Sequence, residues 1–167
     1  MNGRHFINVA SGGFGAEITA TTPQDVKRAL GGAAYTLNGL LKIWNMKPYT
    51  GRLILPGQAP SEGTMLFMAV GNNSLAGGGF EVAPGADPSD GLLDLVVLNE
   101  LAMTEPTALI AESKDVRNPA NRIVQHVLAS EFVIDADSPL HINLDGEPVV
   151  AERLEFSVLP AGLQVVY

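Results

Sequence analysis

The chain has 167 residues, 46% of them hydrophobic, and a formal net charge of −8. That length and apolar content suit one domain with a real core and exclude a disordered chain. The absence of cysteine excludes disulfides and thiolate metal sites, and the acidic balance argues against nucleic acid, whose phosphates need clustered Lys and Arg.

The first eleven residues hold no long apolar run of the signal-peptide kind. No stretch approaches the roughly 20 apolar residues that span a bilayer. The expectation is a cytoplasmic protein. Charge is uneven along the chain: up to Pro56, Arg4, Lys27, Arg28, Lys42, Lys47 and Arg52 stand against only Glu17 and Asp25. Such a split suits either a surface meeting anionic headgroups or an ordinary solvated basic helix face.

In chain order, residues 5–10 (HFINVA) read as a short β-rich run ending in Ser11-Gly12-Gly13-Phe14-Gly15. A helix is predicted over residues 23–44. Thr22 can cap it, Pro23 suits its first position, and Val26, Leu30, Ala33, Leu37, Leu40 and Trp44 form one apolar stripe. The period then changes to two, with strands expected at 52–55, 64–70, 93–98, 131–134, 140–144, 153–159 and 163–166. A short helix is expected over 104–112, with Thr104 as cap and Pro106 in its first turn. Residues 123–130 fit helix or strand. Many short strands joined by Gly/Pro turns indicate a mostly β (α+β) fold, a two-layer β-sandwich with one long amphipathic helix near the N-terminus.

Three polar segments interrupt this apolar framework. Gly71-Asn72-Asn73-Ser74-Leu75-Ala76-Gly77-Gly78-Gly79 lets backbone approach closely, but lacks the Gly-Lys-Ser/Thr ending of a phosphate-binding loop. Residues 83–94, with Asp87, Asp90 and Asp94, mix carboxylates and turn carbonyls, the oxygen ligands that hard cations prefer. As bare sequence, Asp-Pro and Asp-Gly are first of all turn formers. Asn143-Leu144-Asp145-Gly146-Glu147-Pro148 carries an Asp-Gly signal for a type I′ hairpin and two carboxylates at its tip. One of these could take a proton from a hydroxyl. His5, His126 and His141 have no metal-ligand spacing, and no Gly-x-Ser-x-Gly elbow supports serine hydrolysis.

Taken in order, "INVASGGFGAEI", "TPQDVKRALGGAAYTLNGL", "GNNSLAGGGFEVAPGADPSDGLLDLVVL" and "NLDGEPV" resemble the C-terminal domain of the YegS/diacylglycerol kinase-like bacterial lipid kinases. The likeness covers almost the whole chain and is weakest over 110–134. It implies a β-sandwich like that of NAD kinases, serving the acceptor side of an ATP-dependent kinase. ATP would be held mainly by an N-terminal domain carrying a Gly-Gly-Asp-Gly-Thr motif, which is absent from these residues. The general base falls on Glu147, with Asp145 beside it. A Mg²⁺ site falls on Asp87, Asp90 and Leu92, with Asp90 as side-chain ligand and main-chain carbonyls at the other two. The implied partners are a lipid with a free hydroxyl, the N-terminal nucleotide-binding domain, and a peripheral contact with the inner membrane face. By itself the domain is expected to be inactive. Two other readings compete: a non-catalytic β-module that binds a lipid or partner protein, and an NAD kinase-like domain acting on a sugar hydroxyl. The lipid-kinase spelling of the DG.LD and LDGE segments disfavours the second.

Overall fold

The computed structural model describes residues 1–13, 47–76 and 79–163. The helix expected over 23–44 lies outside them, as do nearly all of the strand expected at 163–166 and Gly77 and Gly78.

Strands β1 (Val9–Gly13), β2 (Tyr49–Ile54), β3 (Ser61–Gly71), β6 (Leu93–Asn99), β7 (Val124–Ala129), β8 (Glu131–Leu144) and β9 (Glu147–Ser157) form one antiparallel sheet. The ribbon β4 (Leu75–Ala76) and β5 (Phe80–Glu81) stands apart. Among the described residues the strand pairing runs continuously through one seven-stranded sheet. The reason lies in β1 and β2, which share a single slot between β3 and β8. Val9 to Gly13 pair with Gly71 to Phe67, and Tyr49 to Leu53 pair onward with Met65 to Ser61. Both strands also pair with β8. The slot joins the β9–β8 wing to the β3–β6–β7 wing.

One apolar cluster draws on both wings: Met68, Val70 and Leu95 from one, Phe132, Ile142, Leu154 and Phe156 from the other. Phe132 stacks on Phe156 with ring centroids 5.0 Å apart. A second cluster, including Leu66, Val96 and Val124, lies on the other face of β3, β6 and β7. It is covered by Ala83, Ala102, Leu109 and Val116. A 3-10 turn (Glu100–Met103) and helix α1 (Pro106–Glu112) supply two of these covers. Burying both faces explains why β3 and β6 read as nearly unbroken apolar runs.

Several expected boundaries shift. The first strand begins at Val9, because Ile7 and Asn8 are held in a loop by side-chain contacts. Residues 131–134 and 140–144 form one strand, β8, with a register shift between Asp135 and Leu140. Its polar 135–139 stretch reads as a break, yet the irregularity absorbs it within the strand. Thr104 closes the 3-10 turn, and Glu105 precedes α1 without a side-chain cap. Residues 124–129 are a strand, fixed by pairing with β6 and at the sheet edge among the described residues.

Candidate functional site

All three polar segments lie at one end of the sheet. Glu147 pairs with Leu144, Leu144 with Ala10, Ala10 with Val70, and Val70 with Leu95. Glu147 thus opens a row that crosses four strand intervals to reach β6, about 19 Å along the sheet at ~4.8 Å per interval. The Asp87–Leu92 segment enters β6 at that end.

The Asp145-Gly146 turn has the geometry its sequence predicts. Both residues have positive φ, 48° and 110°, as a two-residue type I′ hairpin requires. Asn143 Oδ1 accepts the Gly146 amide at 2.7 Å. Across the turn the carboxylates differ. Asp145 accepts the amides of Ile7 at 2.5 Å, Asn8 at 3.1 Å and Val9 at 2.8 Å. Its own amide donates to the Val9 carbonyl. The same strand entry is held from the other side, where the Asn72 and Asn73 amides donate to Asn8 O and Asn72 Nδ2 donates to Ile7 O. Glu147 is exposed, and its carboxylate has no hydrogen bond or ion pair among the described residues.

Residues 83–92 are a pair of turns. Pro84-Gly85 closes the first, with Ala86 N donating to Ala83 O and Gly85 at φ +82°, the conformation of a type II turn. Asp90 N donates to Asp87 O in the second. Asp87 Oδ1 accepts the Ser89 hydroxyl at 2.6 Å and its amide at 2.9 Å, which hold its carboxyl below the ordinary aspartate range. Asp90 Oδ1 accepts Leu92 N at 2.8 Å, which orients that carboxylate.

Mg²⁺ takes oxygen ligands and keeps several waters. Asp90 Oδ2 has no partner among the described residues, and the Asp87 carbonyl retains a second lone pair beside its bond from Asp90. No three Asp, Glu, His or Cys side chains converge on one point among the described residues. Asp90 Oδ2 and the main-chain carbonyls of Asp87 and Leu92 are the oxygens this loop could offer a hard cation.

Asp94, read from the sequence as one of three carboxylates suited to a hard cation, is instead buried and paired beneath this loop. Asp94, 1% exposed, points from β6 into the second cluster's side of the sheet. Its Oδ1 lies 2.6 Å from Arg117 Nη2 and 2.7 Å from His126 Nε2. The available signal was an aspartate inside the apolar run Leu92-Leu93-Asp94-Leu95-Val96-Val97. Its partners are 23 and 32 residues away, so the sequence alone could not supply them.

A cavity of about 440 Å³ opens elsewhere, over β2, β3 and β6, with Leu53, Met65, Leu95, Val97 and Ile134 among its lining. On β8 it touches Ile134, ten positions from Leu144, and so lies away from the hairpin tip. Of the early basic residues, Arg52 pairs with Asp135 at 3.5 Å. Lys27, Arg28 and Lys42 are outside the described residues. No helix among the described residues is long and apolar enough to cross a membrane.

The domain is thus an antiparallel β-sheet domain with its polar turns at one end. Residues 8–167 match the family model described as the YegS C-terminal NAD kinase beta sandwich-like domain, and the chain belongs to that family. It is 39% identical over 160 residues to a probable lipid kinase YegS-like protein of Chromohalobacter salexigens, covering 95% of this chain and 51% of that protein. The counterpart in Shewanella frigidimarina is 38% identical, covering 99% and 53%. The chain spans about half the length of these curated relatives. In fold it is similar to the crystal structure of a putative diacylglycerol kinase from Bacillus anthracis, with TM-score 0.71, 23% identity, 95% of this chain and 52% of that one covered.

Proposed function

We propose that this chain is the acceptor-side domain of an ATP-dependent lipid kinase, with Glu147 as general base. The observation that carries the reading is the contrast at the hairpin tip. In a chain of this family, the Glu147 carboxylate is exposed and unengaged among the described residues, while its neighbour Asp145 is committed to three backbone amides. Glu147 takes the proton from a lipid hydroxyl as that oxygen attacks the γ-phosphorus of ATP, and the bond to the ADP oxygen breaks. Asp145 fixes the strand entry and the turn from which Glu147 projects. ATP is bound by a domain outside these 167 residues. Asp90 and the carbonyls of Asp87 and Leu92 would hold Mg²⁺, which would supply positive charge beside the acceptor end. In this reading the kinase works in the cytoplasm, at the inner membrane face where its lipid resides.

The test is phosphoryl transfer to a diacylglycerol-containing vesicle by a two-domain protein containing this chain. Glu147→Gln is expected to lower turnover about 10²- to 10⁴-fold, the range for a lost general base, with the unfolding midpoint unchanged. Wild-type turnover in that variant removes Glu147 from the chemistry. The domain alone is expected to transfer no phosphate. Vesicle binding without any transfer by the two-domain protein would favour the non-catalytic module instead.

A further inference from the structure

The cluster beneath the 83–92 segment has one member that reaches upward. Arg117 Nη2 lies 2.6 Å from Asp94 Oδ1 and also donates to the Gly85 carbonyl at 2.6 Å. Asp94 is buried, whereas the Arg117 side chain is 43% exposed, so the guanidinium spans the step from sheet to loop. His126 Nε2, 2.7 Å from the same Asp94 oxygen, keeps that carboxylate engaged from β7. The fit around the guanidinium is close. A Cβ added at Gly85 would lie 2.9 Å from Arg117 Cζ, and φ of +82° already disfavours a side chain there. On its other flank the loop rests on the β3 terminus. A Cβ at Gly71 would meet the Ala83 Cβ at 2.4 Å, and Ser74 O accepts the Val82 and Ala83 amides.

We infer that Arg117 is a positioning residue for the divalent-cation loop: held by buried Asp94, it fixes the Gly85 carbonyl and so the height at which Asp87, Asp90 and Leu92 present their oxygens. This rests on the Mg²⁺ reading of that loop. The physical basis is the planar guanidinium, which can bond a carboxylate and a carbonyl at once in fixed geometry. Gly85 and Asp87 are separated only by Ala86, which leaves little chain to absorb a displaced carbonyl. A lysine can keep a positive charge near Asp94, but its ammonium is a single point on a flexible stem and reproduces the bridge poorly.

The experiment is a Mg²⁺ titration of the unfolding temperature of the full chain. Wild type is expected to gain stability with Mg²⁺ along a saturable curve, and Asp90→Asn to lose that gain. Arg117→Lys is expected to fold and to need about 10-fold more Mg²⁺ at the curve's midpoint, the factor that one lost charge-assisted hydrogen bond carries. Arg117→Met is expected to shift it further, with lysine giving partial rescue. Glu112→Gln, which weakens a contact elsewhere, serves as control: a lower unfolding temperature with the wild-type midpoint. If Arg117→Lys behaves like that control, the positioning role is overturned and the metal reading survives. If wild type shows no Mg²⁺ response, or Asp90→Asn responds as wild type does, the metal reading fails and the inference falls with it.

Discussion

Asp145 and Glu147 stand two positions apart on one turn, and their carboxylates meet opposite surroundings. Asp145 gathers the amides of Ile7, Asn8 and Val9, so its loss frees three donors at the entry of β1. Asp145→Ala is expected to destabilise the domain by on the order of 1 kcal/mol or more in urea unfolding, since these bonds are charge-assisted but largely exposed. Glu147→Ala should stay within about 0.5 kcal/mol of wild type, as surface substitutions without partners do. Equal losses from the two would contradict the division of labour. At this scale the sequence was legible where chemistry is local. Asp-Gly dictates a turn with two positive φ values because glycine tolerates that region freely and aspartate better than most residues. It was illegible where a carboxylate's partner is far along the chain. Nothing near Asp145 in sequence points to Ile7, 138 residues away.

Among the elements, β7 shows how a contact decides between two patterns. Residues 123–130 suit helix or strand by composition. Glu112, at the end of α1, accepts the amides of Arg122, Ile123 and Val124 and so pins the start of an extended segment against β6. Those bonds, led by the Val124 amide, hold the Glu112 carboxyl below the ordinary glutamate range. A carboxyl depressed in the folded state binds fewer protons there than in the unfolded chain. Its stabilisation is complete above the ordinary value of 4.5 and is lost as pH falls through the lower folded-state value. The gap in unfolding temperature between wild type and Glu112→Gln is therefore expected to be largest near about pH 7 and to narrow below about pH 4. A gap that does not change with pH would exclude the ionised form as the cap. The merging of 131–134 and 140–144 into β8 has a related cause. Pairing with β2, β1 and β9 carries the strand through a polar stretch whose own sequence argues for a break.

Over the whole molecule, β3 and β8 are the members around which the rest is arranged. Each is paired on both sides, with β1 and β2 in the slot between them and β6 or β9 outside. Among the described residues, β7 and β9 form the sheet edges. In hydrogen exchange, the amides of β3 from Met68 to Val70 are expected to be among the slowest, and those of β7 and β9 that have no ladder partner among the described residues to exchange first. Fast exchange at Met68 to Val70 would show that the two wings open independently. The sequence by itself determined the mostly β character, the period-two strands, the Asp-Gly turn and the family, because side-chain alternation and turn chemistry are properties of neighbouring residues. Only the tertiary structure decided that β1 and β2 share one slot, and that Asp145 holds the backbone while Glu147 stays exposed. It alone showed that Asp94 meets Arg117 and His126 beneath the 83–92 loop. Those facts depend on pairings between residues tens to more than a hundred positions apart. Burial of both sheet faces selects such pairings, and no local pattern encodes them.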